Sequence, residues 1–435
     1  MPDATFNDPD LTSFARLGEL GLEATGQRIE PRRAVLACRV VEPDDWCHRC
    51  GSPGIPRGTV IRQLAHEPLG WRPTTLQITV RRYRCAACAH VWRQDTTKAA
   101  QPRAKLSRRG LRWALEGLVI QHLTVARVAE SLAVRWNTAN DAVLDEGRRL
   151  LINDPHRFDN VTTIGVDEHV WRHTRGGDKY VTVIIDLTPL QTGTGPARLL
   201  DMVEGRSKQA FKTWLAQRDQ CWRDRVEVVA MDGFTGFKTA AEEELPQATT
   251  VMDPFHVVRL AGDAVEKCRR RIQLQTLGHR GRKQDPLYKA RRTLLTGADL
   301  LTDKQYCRIQ DVFNGDEHVE VEATWAFYQH MVAAYREPDR AEGKKMMNTV
   351  ITKLSRAVPK TLTELTTLGR TLKNRADDIL AYFDRPGTSN GPTEAINGRL
   401  EHLRGSALGF RNLTNYIARS LLESGGFRTQ LHPGL

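Results

Sequence analysis

Two Cys-x-x-Cys pairs, Cys47 with Cys50 and Cys85 with Cys88, constrain this chain more than any other feature. Each pair predicts a tight knuckle that turns two thiolates toward one point, and two knuckles together complete a tetrahedral S4 site with no open position. The segment between the pairs carries two β-like runs, TVIRQLAH and LQITVRRYRC. This is the layout of a zinc ribbon, in which Zn2+ is structural. So small a β module gains too little from burial, and the free energy of metal binding becomes folding free energy. Disulfides would need an oxidising compartment, and no N-terminal stretch joins a basic start to an apolar core as a signal peptide does. Cys38, Cys221, Cys268 and Cys307 are isolated in sequence and read as small buried hydrophobes or inert thiols. Residues 1–45 mix a short helix around Leu11–Leu20 with a β-rich run, RAVLACRVV, and receive no separate function.

A length of 435 residues with 40% hydrophobic content predicts two or three globular modules. The formal net charge of +12 favours a polyanionic partner, because each Lys or Arg set on a phosphate releases condensed counterions. Nucleic acid leads; a ribosomal or membrane-surface protein is the alternative. No apolar run approaches the roughly 18 residues that a membrane span needs, so no membrane is expected and the chain reads as intracellular.

From Ser107 to Leu151 the pattern is helical. The stretch LTVARVAESLAVRWNTANDAVLDEG sets Val125, Val128, Leu132, Val134 and Val143 where a helix-turn-helix keeps its small core, with a break at Ala133–Trp136. The second helix of such a unit enters the major groove, which makes Arg135, Asn137, Thr138 and Asn140 the candidates for base contact. An ordinary pair of packed helices gives the same pattern.

After Asn160 three strand-like runs follow, TTIGVDEHVW, KYVTVIIDL and ARLLDMVEG, with Gly176, Gly177 and Asp178 as the turn between the first two. A helix, the strand VEVVAMD, a helix, the strand TTVMD and a further helix complete the order βββαβαβα. A meander continued by right-handed crossovers builds a mixed sheet covered by helices, the order of the RNase H-like fold. Two apolar strands end in aspartate, at Asp167 and Asp232. Carboxylates brought together repel, so a divalent cation commonly offsets their charge, and Mg2+ suits hard oxygens and phosphate substrates. Downstream, Glu394 stands near the start of a helix behind Ser389, Asn390, Gly391 and Pro392. Alone it reads more readily as a first-turn glutamate favourable to the helix dipole. Two metal ions held by three carboxylates, roughly 3.5 to 4 Å apart, can drive in-line phosphodiester displacement.

The ordered segments CHRCGS, YRCAACAHVW, IGVDEHVWRHTRGGDKYVTVIIDL, VVAMDGFTGFKTA, VMDPFHVVRLAGDAVEKCRRR and SNGPTEAINGRLEHLRGSALGFRN resemble the ISL-three family of bacterial insertion-sequence transposases over nearly the whole chain. The resemblance implies a DDE active site of Asp167, Asp232 and Glu394 holding two Mg2+ ions, with Mn2+ as a substitute. It further implies an RNase H-like catalytic fold and double-stranded DNA as partner, both the element's terminal inverted repeats and the target. Asp253 and His256 resemble the Asp-x-x-His element of related DDE enzymes and receive a supporting role.

Because 162 positions separate Asp232 from Glu394, a helical insertion is expected between them. The chain is thus expected to be multidomain α/β: a β-rich region with the zinc ribbon over 1–100, a helix-turn-helix over 101–155, the catalytic domain over 156–270 and 375–435, and the insertion over 271–374. Arg269, Arg270 and Arg271 open the insertion's basic run, with Arg280, Arg282 and Lys283 behind them, and are assigned to DNA phosphates, with solvation of a loop as the alternative. Trp325, Phe327, Tyr328 and Tyr335 are assigned to a helical core. Asn390, Asn397, Arg399, Arg404 and Arg411 near the third acid give a polar and basic surface suited to positioning the DNA backbone, with helix-surface solvation an equal explanation for any one of them. Holding two ends calls for a homodimer or larger synaptic complex, in a cytoplasmic, nucleoid-associated setting. An RNase H-like nuclease without strand transfer and a DNA-binding regulator are the alternative functions.

Overall fold

The computed structural model describes residues 10–174, 179–356 and 358–432. They form two compact units: residues up to Arg157 together with those from Leu403 onwards, and Phe158–His402. Both mix strands and helices. Among the described residues no helix is long and apolar enough to cross a membrane.

The first unit is built on a five-stranded sheet of β1 (Leu22–Ile29), β2 (Ala34–Val40), β3 (Gly54–Leu69), β4 (Arg72–Cys85) and β5 (Val91–Arg93). Its order is β1-β2-β4-β3, with β5 also on β4. Strands β3 and β4 make one long antiparallel hairpin, closed at Gly70, whose φ of 63° costs a glycine no Cβ clash. Alternation along β4 sends Thr74, Leu76, Ile78 and Val80 to one buried face. Leu17, Leu20, Leu22 and Leu36 pack on that face. The N-terminal run is therefore part of the sheet, with β2 parallel to β4.

Three helices follow, α1 (Arg108–Val119), α2 (Val125–Ser131) and α3 (Trp136–Gly147). Ser107 and Thr124 cap the first two by accepting from the amides of Gly110 and Arg127. The break before α3 includes Ala133 at φ 51°. Val125, Val128, Leu132 and Val143 are buried, as the pattern predicts. The helix Leu413–Ser424 packs here too: a Cβ on Gly147 would come within 2.8 Å of Leu422.

The second unit carries β6 (Thr163–Val170), β7 (Tyr180–Asp186), β8 (Arg198–Glu204), α4 (Lys208–Ala216), β9 (Val228–Met231), α5 (Thr235–Glu244), β10 (Thr249–Met252) and α6 (Pro254–Leu277). Its mixed sheet runs β10-β9-β6-β7-β8, antiparallel through β6, β7 and β8 and parallel from β6 through β9 to β10. The predicted turn at Gly176, Gly177 and Asp178 lies outside the described residues. All four residues of β9 are buried, as a parallel strand covered on both faces must be. Phe211, Trp214, Trp222 and Phe237 fill one face.

Beyond α6, the helices α7 (Val319–Arg336), α8 (Arg340–Arg356), α9 (Thr363–Asn374) and α10 (Ala376–Asp384) share a core with it, built on Met331, Met347, Leu354, Leu368 and Ile379. Tyr328 is buried in that core, and Trp325, Phe327 and Tyr335 pack against it, as predicted. The chain then returns to the sheet through α11 (Gly391–Ser406).

Candidate active site and metal centre

Strands β6 and β9 are parallel, with Val166 opposite Met231. The next residue of each is an aspartate, Asp167 still within β6 and paired with Val183 of β7, Asp232 just past the end of β9, so the two stand side by side. The expectation that Asp167 ends its strand is corrected, since β6 runs on to Val170. Gly165 explains how Glu394 joins them. A Cβ there would stand 2.7 Å from Thr393 Oγ1 and 3.1 Å from Asn390 Oδ1, so only a glycine lets the start of α11 lie on β6. Alternation puts Gly165 and Asp167 on one face of the strand. One turn along α11, Asn397 Nδ2 donates to Asp167 Oδ2 at 2.9 Å. Glu394 stands three residues before Asn397, on the same side of the helix, and is exposed.

The supporting pair is built in. Asp253, 5% exposed, accepts from the amide of Asn390 at 2.8 Å through Oδ1 and from that of His256 at 3.1 Å through Oδ2. One carboxylate thus caps α6 and anchors the turn leading to Glu394. His256 lies against the residue after Asp232, since a Cβ on Gly233 would come within 2.8 Å of its Nε2.

Burial pushes the Asp167 carboxyl up to about 7, and the charges of Asp232, Glu168 and Glu394 push the same way against a lowering hydrogen bond from the Glu168 amide. Beside it, Asn397 Oδ1 is buried with no hydrogen-bond partner. Acids whose charges reach Asp167 and an orphaned amide oxygen are hard-oxygen groups of the kind that suit a divalent cation, though the acids stand further apart than the four sulfurs of the cysteine site. Of the neighbouring acids, Glu168 pairs with Arg206 at 3.2 Å. Asp186 is buried on Arg198 and the Thr188 amide, a structural role.

The cysteine site differs in form. The Sγ atoms of Cys47, Cys50, Cys85 and Cys88 all lie within 4.8 Å of one another; among the described residues no other set of three or more metal-ligating side chains does so. Cys47 approaches Cys88 at 3.6 Å and Cys50 approaches Cys85 at 3.4 Å. Hydrogen bonds from the Ser52 backbone and hydroxyl draw the Cys50 thiol down to about 6. Cys88 accepts a backbone hydrogen bond from His90, yet burial and the other three sulfurs push it up to about 12. Such crowding of sulfur suits a soft, tetrahedral cation such as Zn2+.

The residues expected on DNA are divided by the structure. Arg135 and Asn137 at the start of α3 are exposed and Thr138 is half-buried. Asn140 is 4% exposed and bonds Asp141, so it faces the interior and not a base edge. The assignment of the Arg269–Arg271 run to phosphates also needs correction. Arg269 is buried on Glu266 and Gln273, Arg271 pairs with Glu364 at 2.9 Å and Glu320 at 2.6 Å, and Arg270, though exposed, pairs with Glu266. Arg280, Arg282 and Lys283 are exposed. Arg399 and Arg411 are exposed, whereas Arg404 is 8% exposed.

Asn397, which the sequence offers only as part of a polar surface for the DNA backbone, holds Asp167 from one turn after Glu394, and Asn390 of the same surface is buried. Asp253's grip on Asn390, 137 residues away, has no local signal.

A model of the DDE-type ISL3 transposase family matches residues 164–420, a span that holds Asp167, Asp232, His256 and Glu394. The chain belongs to the ISL3 transposase family. The transposase for insertion sequence element IS1557 of Mycobacterium tuberculosis is 25% identical, over 94% of this chain and 90% of that protein. The transposase for IS1001 of Bordetella parapertussis is 22% identical, over 84% of this chain and 85% of that one. A more distant likeness is to the Drosophila P element transposase strand transfer complex, with TM-score 0.39 and 9% identity, covering 72% of this chain and 91% of that chain. As an ISL3-family member the protein is a transposase, an enzyme that cleaves DNA and transfers strands.

Proposed function

We propose that this transposase cuts and joins DNA at the terminal inverted repeats of its own insertion sequence, with Asp167, Asp232 and Glu394 as the catalytic acids. The observation that carries the proposal is the register of β6 against β9, which sets two aspartates side by side beneath the helix that bears Glu394. The strand order of the second unit supports an RNase H-like catalytic domain interrupted by the helical insertion.

Asp167, Asp232 and Glu394 are the residues that would hold Mg2+, or Mn2+ in its place. Held by these acids, such an ion would supply activation of the attacking oxygen and would offset charge on the departing one. Asp167 and Asp232 offer oxygens from adjacent rigid strands, and Glu394 offers a third from α11. Asn397 orients Asp167, and Asp253 fixes both His256 and the turn before Glu394. Water first cleaves a phosphodiester at the element's end and frees a 3′-hydroxyl. That hydroxyl then attacks a target phosphodiester, whose own 3′-oxygen departs, so no covalent protein intermediate is needed.

The cysteine ribbon with structural Zn2+ and the helix pair α2–α3 recognise the ends, with Arg135 and Asn137 nearest the bases. Two ends held at once require a dimer or larger synaptic assembly.

The test is incubation of the purified protein with labelled DNA carrying both ends and a target plasmid, with and without Mg2+, alongside Glu394→Ala. The expected result is Mg2+-dependent 3′-end cleavage and joined product, lost in a variant that still binds ends. Cleavage without joining would mark a nuclease, and binding alone a regulator.

A further inference from the structure

A buried cluster behind Asp232 lies outside the proposed catalytic set. Arg375, 5% exposed, stands between α9 and α10. Its Nε donates to Asp378 Oδ2 at 2.5 Å, and its Nη1 donates to the carbonyl of Gly233 at 3.0 Å. Asp378 is 1% exposed, and its other oxygen accepts from Lys238 Nζ of α5 and Thr250 Oγ1 of β10, each at 2.8 Å. One carboxylate therefore joins three elements around the turn that follows Asp232.

That turn decides where the Asp232 carboxylate sits. Asp232 Oδ1 accepts from the Phe234 amide at 2.9 Å, so the carboxylate is fixed to the same backbone that Arg375 grips at Gly233. His256 packs on Gly233 as well, which holds the turn between an imidazole and a guanidinium. A buried arginine and a half-buried lysine, which also lies 3.6 Å from Glu242, share one buried aspartate, and Arg375 Nη2 has no hydrogen-bond partner. Stability alone gives no reason for such an arrangement, since well-packed apolar residues of similar volume often stabilise as well or better.

We infer that Arg375 is a positioning residue: anchored on Asp378, it sets the Asp232 turn so that the carboxylate meets the cation, and it ties the helical insertion to the metal site. This rests on the reading of Asp232 as a metal-binding acid. Partners that orient a metal ligand without touching the metal typically account for 10- to 100-fold in metal affinity.

The test uses the full-length protein with its zinc retained. Mn2+ binding is followed by EPR, and the Mn2+ dependence of end cleavage is measured at saturating DNA. Lysine keeps the charge but offers one nitrogen where arginine offers two fixed on a plane, so it does not hold Asp378 and the Gly233 carbonyl in the same geometry. Arg375→Lys is therefore expected to raise the Mn2+ midpoint about ten-fold in both assays, with the cleavage rate recovering at saturating Mn2+. Asp378→Asn keeps the shape, weakens the anchor, and should move the midpoint the same way. Lys238→Met loosens the same cluster without touching Gly233 and should lower only the melting temperature.

An unmoved midpoint in the folded fraction of Arg375→Lys and Asp378→Asn would overturn the inference, as would an equal shift in Lys238→Met. Asp232→Ala separates the two levels of argument. If it binds Mn2+ as the parent does, the reading of Asp232 as a ligand fails; if it loses Mn2+ while Arg375→Lys binds normally, only the positioning role fails.

Discussion

The two candidate metal sites of this chain are assembled in opposite ways. The cysteine site draws its ligands from two knuckles on one small sheet, and its four sulfurs already crowd within a single coordination sphere. The acid site draws from two strands and a helix more than 160 residues further along, and its three carboxylates do not form so tight a set. A closed sulfur site has one task, to hold the fold, and can be complete in advance. Acids that must admit a cation and a phosphate are better kept apart by rigid elements, with hydrogen bonds from Asn397 and the Phe234 amide orienting Asp167 and Asp232.

The largest effect should come from breaking the closed site. Cys85→Ser is expected to unfold the hairpin end around Cys47, Tyr83 and Trp92, because structural zinc in comparable small modules supplies about 10–16 kcal/mol. End binding in gel shifts should disappear, while Mn2+ uptake by residues 158–402 stays as in the parent. If Mn2+ uptake fell equally, the two sites would not be independent.

Next in size is the open site. Asp167→Ala should cost several kcal/mol of transition-state stabilisation, on the order of 10^3-fold in strand transfer, with end binding retained. The same residue gives a pH signature. Asp167 keeps its proton in the folded protein up to about pH 7, whereas the unfolded chain loses it near pH 3.9. Between those values the unfolded state binds fewer protons, so without Mg2+ stability falls as pH rises through that window, by no more than roughly 4 kcal/mol. Thermal unfolding from pH 4.5 to 7.5 should show this slope. Asp167→Asn should remove it, and added Mg2+ should stabilise more at the upper end.

Sequence made the closed site more legible than the open one. Two spaced cysteine pairs declare their own partner, because their geometry is local. The strand-end reading holds for Asp232 but not for Asp167, which lies within β6, and the adjacency of the two depends on a register that no short motif encodes. The place of Glu394 depends on Gly165, whose missing side chain is visible only with α11 lying on it. Charge misled where burial intervened: Arg269 and Arg271 belong to internal ion pairs, and Asn140 faces the core. Residues from Leu403 onwards belong with the first unit through contacts such as Leu422 on Gly147, which composition cannot reveal.

Gly165→Ala tests that seat directly. The added methyl would meet Thr393 Oγ1 at 2.7 Å and force the start of α11 away from β6, at about 1–3 kcal/mol for overpacking. Melting temperature should fall modestly, but strand transfer should fall further, because Glu394 and Asn397 ride on the displaced helix. Equal losses in folding and in activity would mean that α11 need not be held so closely.

The smallest effects separate two kinds of arginine in one basic run. Arg280, Arg282 and Lys283 are exposed and free to meet phosphates, so replacing each by Ala should weaken DNA binding uniformly and reduce the salt slope by about 1. Arg271 is held by Glu320 and Glu364, and Arg271→Ala should lower stability, since it strands two carboxylates, yet leave the salt slope as it was. Salt titrations of end binding read the first effect and thermal melts the second. If Arg271→Ala changed the salt slope by as much as Arg282→Ala, its ion pairs would have to open on DNA, and the internal role that the structure gives it would be only its resting state.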